Sequence, residues 1–175
     1  MSVQSLQPGW WKTPVHKEER IWITVALIWC ILMTLIMPLW HVVGEHNPSA
    51  EYYRIAPEDF DKLTDEFIDK YKVGVEGDFA VVEPPAGADI FLRGSQWQWD
   101  PVLKLKVNET YRLHLSSIDV LHGMSIYPIN LNFEAVPGYD YVLTITPTST
   151  GTFNIICNEF CGISHHNMMG KIIVQ

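Results

Sequence analysis

Twenty consecutive residues, Ile21 to Trp40 (IWITVALIWCILMTLIMPLW), carry no charge, and no other stretch limits the fold as strongly. As a helix rising about 1.5 Å per residue, the run reaches across the roughly 30 Å of a bilayer's hydrocarbon core. A soluble helix of that length would show one polar face, whereas the polar residues here are only Thr24, Cys30 and Thr34. The run is therefore expected to span a membrane, with Trp10, Trp11, Trp22 and Trp40 as interfacial anchors near its two ends. Cys30, inside the run, reads as a small packing residue. A cleaved signal peptide has a shorter apolar stretch and small residues at its cleavage site. Pro38-Leu39-Trp40-His41 offers nothing of that kind, so an uncleaved anchor is expected.

The first twenty residues hold Lys12, Lys17 and Arg20 against Glu18 and Glu19, whereas residues 41–175 hold nine Lys and Arg against eighteen Asp and Glu. Lys and Arg beside a spanning helix favour the cytoplasmic side. The N-terminus is thus expected inside, and the rest of the chain on the periplasmic or outer face of a bacterial or archaeal cytoplasmic membrane. Nine minus eighteen leaves that outer part near −9, a field that would steer a basic partner and make its binding salt-sensitive. No nucleic-acid partner is expected. With 175 residues and 47% hydrophobic content, the chain has room for one ordinary soluble domain beside the anchor.

Between His41 and about Pro85 the chain leaves the membrane. Pro57 followed by Glu58 and Asp59 is a helix start, with Pro at the first position and acids at the positive end of the dipole. Phe60, Leu63, Phe67, Ile68 and Tyr71 recur at helical spacing, with Lys70 and Lys72 at the far end and Gly74 as a stop. The apolar stripe of this short amphipathic helix is expected to pack on the following domain or on a partner subunit. After Pro84-Pro85-Ala86-Gly87 the period becomes that of strands: Asp89 to Arg93, Val102 to Val107, Tyr111 to Leu115, Tyr141 to Thr146, Thr152 to Ile156 and Lys171 to Val174. Short strands at near-regular spacing, with Gly and Pro turns, predict a mainly β sandwich or barrel. The expected organisation is a cytoplasmic N-terminal segment (1–20), a transmembrane helix (21–42), a linker with the amphipathic helix (43–87) and a β domain (88–175).

The β domain ends in a concentration of metal-binding chemistry. Cys157-Asn158-Glu159-Phe160-Cys161-Gly162-Ile163-Ser164-His165-His166-Asn167-Met168 places two thiols, an imidazole and a thioether within twelve residues. A further imidazole, His122, lies upstream in the loop Ser117 to Gly123, between two strand-like runs. Thiolate and thioether sulfur with imidazole suit copper, whereas a structural zinc site would take four Cys or His ligands and no Met. A mononuclear blue-copper centre needs one Cys, two His and a weak axial Met, which His122, Cys161, His165 and Met168 satisfy while leaving Cys157 over. Two thiolates, two imidazoles, the Met sulfur and a backbone carbonyl can instead hold two copper ions, both thiolates bridging. A pair that shares one unpaired electron rearranges little on gaining or losing an electron, and so transfers it quickly at low driving force. In an oxidising compartment Cys157 and Cys161 could also simply form a disulfide. His166 and Met169 match no ligand position and read as neighbouring or surface residues; His114, alternating within a strand pattern, reads the same way.

The ordered pattern Cys-x-Glu-x-Cys-Gly-x-x-His-x-x-Met, with Asp-Val-x-His upstream and 157 minus 122, or 35, residues from His122 to Cys157, resembles the dinuclear copper (CuA) domain of subunit 2 of haem-copper cytochrome c oxidases. The resemblance implies a Greek-key cupredoxin fold with ligands on loops at one end. It implies that Cys157 and Cys161 bridge two copper ions, that His122 and His165 cap one each, that Met168 is a weak axial ligand, and that Glu159 contributes its main-chain carbonyl. Gln96-Trp97-Gln98-Trp99-Asp100 resembles the family's aromatic segment. Trp97, with Trp99 as the fallback, is by that resemblance where electrons enter from a c-type cytochrome; core packing is the plainer reading of both.

The mitochondrial-like branch has two membrane helices and a Lys-x-Asp upstream of a Pro-Gly followed by Arg. Here there is one helix and Asn132-Phe133-Glu134-Ala135-Val136-Pro137-Gly138-Tyr139, which looks more like the B-type branch. In that branch a carboxylate three residues ahead of a Trp, just before the helix, resembles the cytoplasmic mouth of a proton-uptake channel. Glu19, ahead of Trp22, fits; surface pairing of Glu18 and Glu19 with Lys17 or Arg20 is the plainer reading. Glu134 is a candidate for proton or water exit. The implied function is to accept electrons from a c-type cytochrome and pass them to a haem in the large catalytic subunit, which reduces oxygen to water and translocates protons. This chain would do no bond chemistry itself, and with no Cys-x-x-Cys-His any haem belongs to the partner. The rival readings are the copper subunit of a nitric oxide reductase, and a membrane-tethered mononuclear cupredoxin or copper-delivery protein.

Overall fold

A computed structural model describes residues 8–12, 14–44, 51–129 and 131–175. Residues 1–7, 13, 45–50 and 130 fall outside it, and with them parts of the expected N-terminal segment and linker. The chain divides into two compact units, Met1–His46 and Asn47–Gln175.

In the first unit a short 3-10 turn, Trp10–Lys12, precedes a helix of 27 residues, α1 (Lys17–Val43). It contains the whole uncharged run and is long and apolar enough to cross a membrane. None of its residues is buried, so apolar side chains cover it all round. Such a surface is consistent with a membrane-spanning helix. Its two threonines need no outside partner, because the Thr24 and Thr34 hydroxyls donate to the Arg20 and Cys30 carbonyls at 2.8 Å. Glu18 and Glu19 occupy the first turn, at the positive end of the dipole. Cys30 is exposed, so the packing role expected of it finds no neighbour within the described unit.

The second unit contains, in chain order, β1 (Glu51–Arg54), α2 (Pro57–Tyr71), β2 (Lys72–Glu76), β3 (Phe79–Val82), β4 (Asp89–Ser95), β5 (Gln98–Asp100), β6 (Val102–Leu105), β7 (Tyr111–Ser117), β8 (His122–Tyr127), β9 (Leu131–Ala135), β10 (Tyr139–Ile145), β11 (Gly151–Cys157) and β12 (Met169–Val174). One sheet runs β1-β10-β7-β4-β5 and the other β2-β3-β6-β12-β11-β8-β9. The pairs β4 with β7, β3 with β6 and β6 with β12 are parallel, the rest antiparallel. This is the mainly β, cupredoxin-like sandwich that the strand spacing and the resemblance predict.

Strand alternation builds the core. Ile90 and Leu92 of β4, Leu103 and Leu105 of β6, Tyr111, Leu113 and Leu115 of β7, Met124 and Ile126 of β8 and Ile155 of β11 are all buried. Each large apolar side chain so placed stabilises the fold by about 1.5–3 kcal/mol. α2 lies on this sandwich by Phe60 and Phe67, whose rings meet Phe91 at 5.8 and 5.7 Å between centroids. The amphipathic stripe therefore packs on its own domain, and Leu63, expected in the stripe, stays exposed while Thr64 is buried. Thr64 fits because its hydroxyl donates to the Phe60 carbonyl at 2.9 Å. Arg93 of β4 adds ion pairs to Asp61 and Asp65 of α2 and to Asp100 of β5.

Two expectations are corrected. Gly74 does not stop α2: the helix ends at Tyr71, Lys72 turns extended, and the chain enters β2 directly, with Gly74 inside that strand at a register shift. His122 is not in a loop. It is the first residue of β8, paired with Ala135 of β9, so a sheet ladder rather than a free turn fixes its backbone.

Candidate metal centre

β8 and β11 are antiparallel neighbours, and their register sets Cys157, the last residue of β11, opposite Met124 of β8. His122 and Cys157 are thereby delivered to the same edge of the sheet by regular backbone. From there residues 158–168 loop out and return to β12. The loop is pinned at its base by Asn158 N–H to the Gly123 carbonyl (3.0 Å) and Cys157 N–H to the Met168 carbonyl (3.2 Å). Gly123 lets the loop approach closely, since a Cβ there would lie 3.0 Å from the Glu159 backbone nitrogen and would push the Asn158 side chain aside.

Six donors converge. The two thiol sulfurs are 3.8 Å apart. His122 Nδ1 lies 3.9 Å from Cys157 Sγ, and His165 Nδ1 lies 3.5 Å from Cys161 Sγ. Met168 Sδ is 3.7 Å from Cys161 Sγ, and the Cys157 thiol donates to the Glu159 carbonyl at 3.2 Å. His122, Cys157, Cys161 and Met168 are buried, while His165 is half-buried at the rim. Among the described residues, His122, Cys157 and Cys161 form the one cluster of His, Cys, Asp or Glu close enough to share an ion.

This donor set fits copper. A separation of 3.8 Å is far beyond the roughly 2.05 Å of a disulfide. It is less than twice a metal–thiolate bond of about 2.3 Å, so both sulfurs can reach a common ion on either side of the line between them. With no metal, burial and the neighbouring Cys157 push the Cys161 thiol up to about 11; a metal would have to displace that proton.

The surroundings aim the imidazoles. Asp119 Oδ1 accepts from His122 Nε2 at 2.8 Å, which puts the ring proton on Nε2 and leaves the Nδ1 lone pair toward Cys157. Burial tends to raise the Asp119 pKa. The His122 bond and N–H donors of Val120 and Gln96 outweigh it, so the group falls below the ordinary carboxylate range. Trp99 is fully buried and stands edge-on to the His122 ring, 5.9 Å between centroids. Two glycines admit it: a Cβ at Gly170 would lie 2.5 Å from Trp99 Cβ, and one at Gly94 would lie 2.9 Å from its ring and 3.3 Å from His122.

The other residues singled out by sequence fall in different places. Trp97 is 37% exposed, and its indole nitrogen lies 3.2 Å from where a Cβ on Gly162 would be. Trp99 has no exposed surface, since β5 turns it inward against His122. Glu134 is exposed on β9, opposite Gly123. Glu19 lies on α1, in the other unit. His166 and Met169 are exposed, as surface residues should be. His114, read as a neighbouring or surface residue, is half-buried: its Nδ1 lies 2.7 Å from Asp140 Oδ2 and its ring stacks on Phe91 at 4.6 Å. Sequence reasoning assigned no role to Asp119 or Gln96; the signal for Asp119 was its place three residues before His122, a candidate ligand.

Residues 88–175 match the family described as Cytochrome C oxidase subunit II, periplasmic domain. Similar curated proteins include the alternative cytochrome c oxidase subunit 2 of Bradyrhizobium diazoefficiens, 36% identical over 73 residues, 42% of this chain and 26% of that protein. The cytochrome c oxidase subunit 2 of Thermus thermophilus is 39% identical over 61 residues, 35% of this chain and 45% of that protein. The chain thus spans between about a quarter and just under half of these relatives' lengths. Among solved structures, a chain of a heme-copper terminal oxidase dimer determined by cryo-EM aligns with a TM-score of 0.54 and 25% identity, over 91% of this chain and all of that one. With the match covering just over half of its residues, this chain belongs to the cytochrome c oxidase subunit II family.

Proposed function

We propose that this chain is the membrane-anchored electron-accepting subunit of a terminal respiratory oxidase, of the B-type branch. The observation that carries the reading is the convergence of two thiols 3.8 Å apart, each with an imidazole Nδ1 within 4 Å, a thioether and a main-chain carbonyl. In this reading Cys157, Cys161, His122, His165, Met168 and the Glu159 carbonyl would together hold two copper ions. Bound there, a dinuclear copper centre supplies a one-electron carrier whose charge is spread over both metals and both thiolates. The protein's part is to hold still. Ligands at the start of β8, at the end of β11 and in the pinned loop 158–168 keep their geometry in both redox states, and burial of Cys157, Cys161 and Met168 excludes water.

Electrons enter from a c-type cytochrome through Trp97, whose partly exposed indole lies against the loop that carries Cys161. They leave for a haem in the large catalytic subunit, where oxygen is reduced to water and protons are translocated. Residues 21–42 cross a bacterial or archaeal cytoplasmic membrane once, with residues 1–20 inside. The linker (43–87) and the copper domain (88–175) then lie on the periplasmic or outer face. Glu19 leads protons to the uptake channel, a role supported by its exposed place in the first turn of α1. Replacing Glu19 with Gln then slows oxygen reduction while copper reduction by cytochrome c is unchanged; unaltered turnover removes it from the path.

The functional test is to isolate the chain with its bound subunits and measure oxygen and nitric oxide consumption with a reduced c-type cytochrome as donor. Oxygen uptake that falls as ionic strength rises is expected. Nitric oxide consumption without oxygen uptake would move the chain to a nitric oxide reductase.

A further inference from the structure

The β4–β5 hairpin turn does more than present Trp97. The Gln96 backbone N–H donates to Asp119 Oδ2 at 2.7 Å, and the other oxygen of that carboxylate accepts from His122 at 2.8 Å. The Gln96 side-chain amide donates to the Cys161 carbonyl at 2.7 Å. One residue therefore grips both segments that carry the metal-binding side chains: residues 117–122 through its backbone and residues 157–168 through its side chain. The loop is shaped to receive that grip. Gly162, next to Cys161, has φ +128, and a Cβ there would lie 3.1 Å from the Gln96 amide nitrogen and 3.2 Å from the Trp97 indole nitrogen. Gln96 is itself exposed, so burial does not account for a glutamine here. The main-chain carbonyl of Cys161 finds its donor in a side chain ending in an uncharged N–H.

We propose that Gln96 is a positioning residue for electron input: it locks the Trp97 hairpin to both ligand segments, so that the indole and the metal centre keep one fixed separation. The inference rests on the reading of Trp97 as the point where electrons enter. Gln96 touches no reacting atom and acts through Trp97 and Cys161.

The first test uses the copper-free full chain in detergent and reads amide hydrogen exchange. Gln96→Met keeps the size of the side chain and removes its donor. Losing one net neutral hydrogen bond is expected to lower the protection of residues 95–98 about fivefold, with β7 and α2 unchanged. Unchanged protection of 95–98, or an equal loss across the whole sandwich, overturns the proposal. Gln96→Glu, which sets a carboxylate against the Cys161 carbonyl, should give the same local loss. Gly162→Ala should give it too, by crowding Gln96 and Trp97.

The second test uses the copper-loaded complex and a double-mutant cycle. Gln96→Met should slow reduction of the metal centre by the donor about fivefold, and should add nothing in a Trp97→Phe background. Additive effects overturn the proposal. A chain that never loads copper would defeat the functional reading, while the exchange experiment would still decide whether Gln96 clamps the hairpin.

Discussion

Replacing Arg93 with Met asks whether an ion-pair cluster, and not the α2 aromatic rings alone, holds that helix and the β4–β5 hairpin on the sandwich. The Arg93 and Asp100 side chains are only 13% and 11% exposed, and the guanidinium Nη2 lies 2.7 Å from Asp100 Oδ2. Removing one partner of a buried pair strands the other charge at about 3–5 kcal/mol, and the residual exposure of both groups argues for the lower end. Asp61 and Asp65 are 40% and 63% exposed, so solvent screening leaves each of their pairs only a few tenths of a kcal/mol.

The sum for Arg93→Met is about 3 kcal/mol, nearly all of it from Asp100. Adding Asp100→Asn removes the stranded charge and should restore about 2 kcal/mol. For a unit of 129 residues (47–175), Tm moves by about 3–4 °C per kcal/mol. Thermal unfolding of the copper-free chain, followed by near-UV circular dichroism, should show a fall of about 10 °C for the single variant and recovery of more than half in the double variant. A fall of under about 2 °C, or a double variant lower than both singles, would refute the reasoning.

Other outcomes follow from the same geometry. Burial alone would lower the His114 pKa, but the hydrogen bond and charge of Asp140, with Asp89 behind it, raise it above 6.5. Its stabilising contribution is then fully present below the ordinary value and is lost as pH rises through the higher folded value. Tm of the copper-free chain should decline across that window, and His114→Gln should flatten the decline; a parallel profile in the variant sinks the assignment. Gly170→Ala drives a Cβ to 2.5 Å from Trp99 Cβ, a rigid clash that should cost about 1–3 kcal/mol in denaturant unfolding. Asp119→Asn removes the charge that orients His122 and should weaken copper binding about 10- to 100-fold in chelator competition.

The readable parts of the sequence were those where one physical rule acts alone. A run of twenty uncharged residues admits little but a spanning helix, and β4, β6, β7, β10, β11 and β12 alternate clearly enough to be found within two residues at each end. The strands that escaped notice lack such a rule. β1 has no buried face, β2 contains Gly74 at a register shift, β5 is three residues long, β8 starts on a histidine and a glycine, and β3 and β9 are only four and five residues long. In the site, chemistry-bearing side chains announced themselves by type and spacing. The residues that orient them did not. Gln96 and Trp99 meet Cys161 and His122 across the fold, contacts that no local pattern records. Arg93 was invisible for the same reason, since its partners Asp61, Asp65 and Asp100 lie on two other elements.

The central claim is that Cys157 and Cys161 stand as free thiolates around a pair of copper ions. Copper analysis and electron spin resonance on the natively purified chain test it most directly. About two copper ions per chain and a seven-line hyperfine pattern, from one electron shared equally by both nuclei, are predicted. One copper with an intense blue colour, or a copper-free chain whose two sulfurs are bonded to each other, would contradict it.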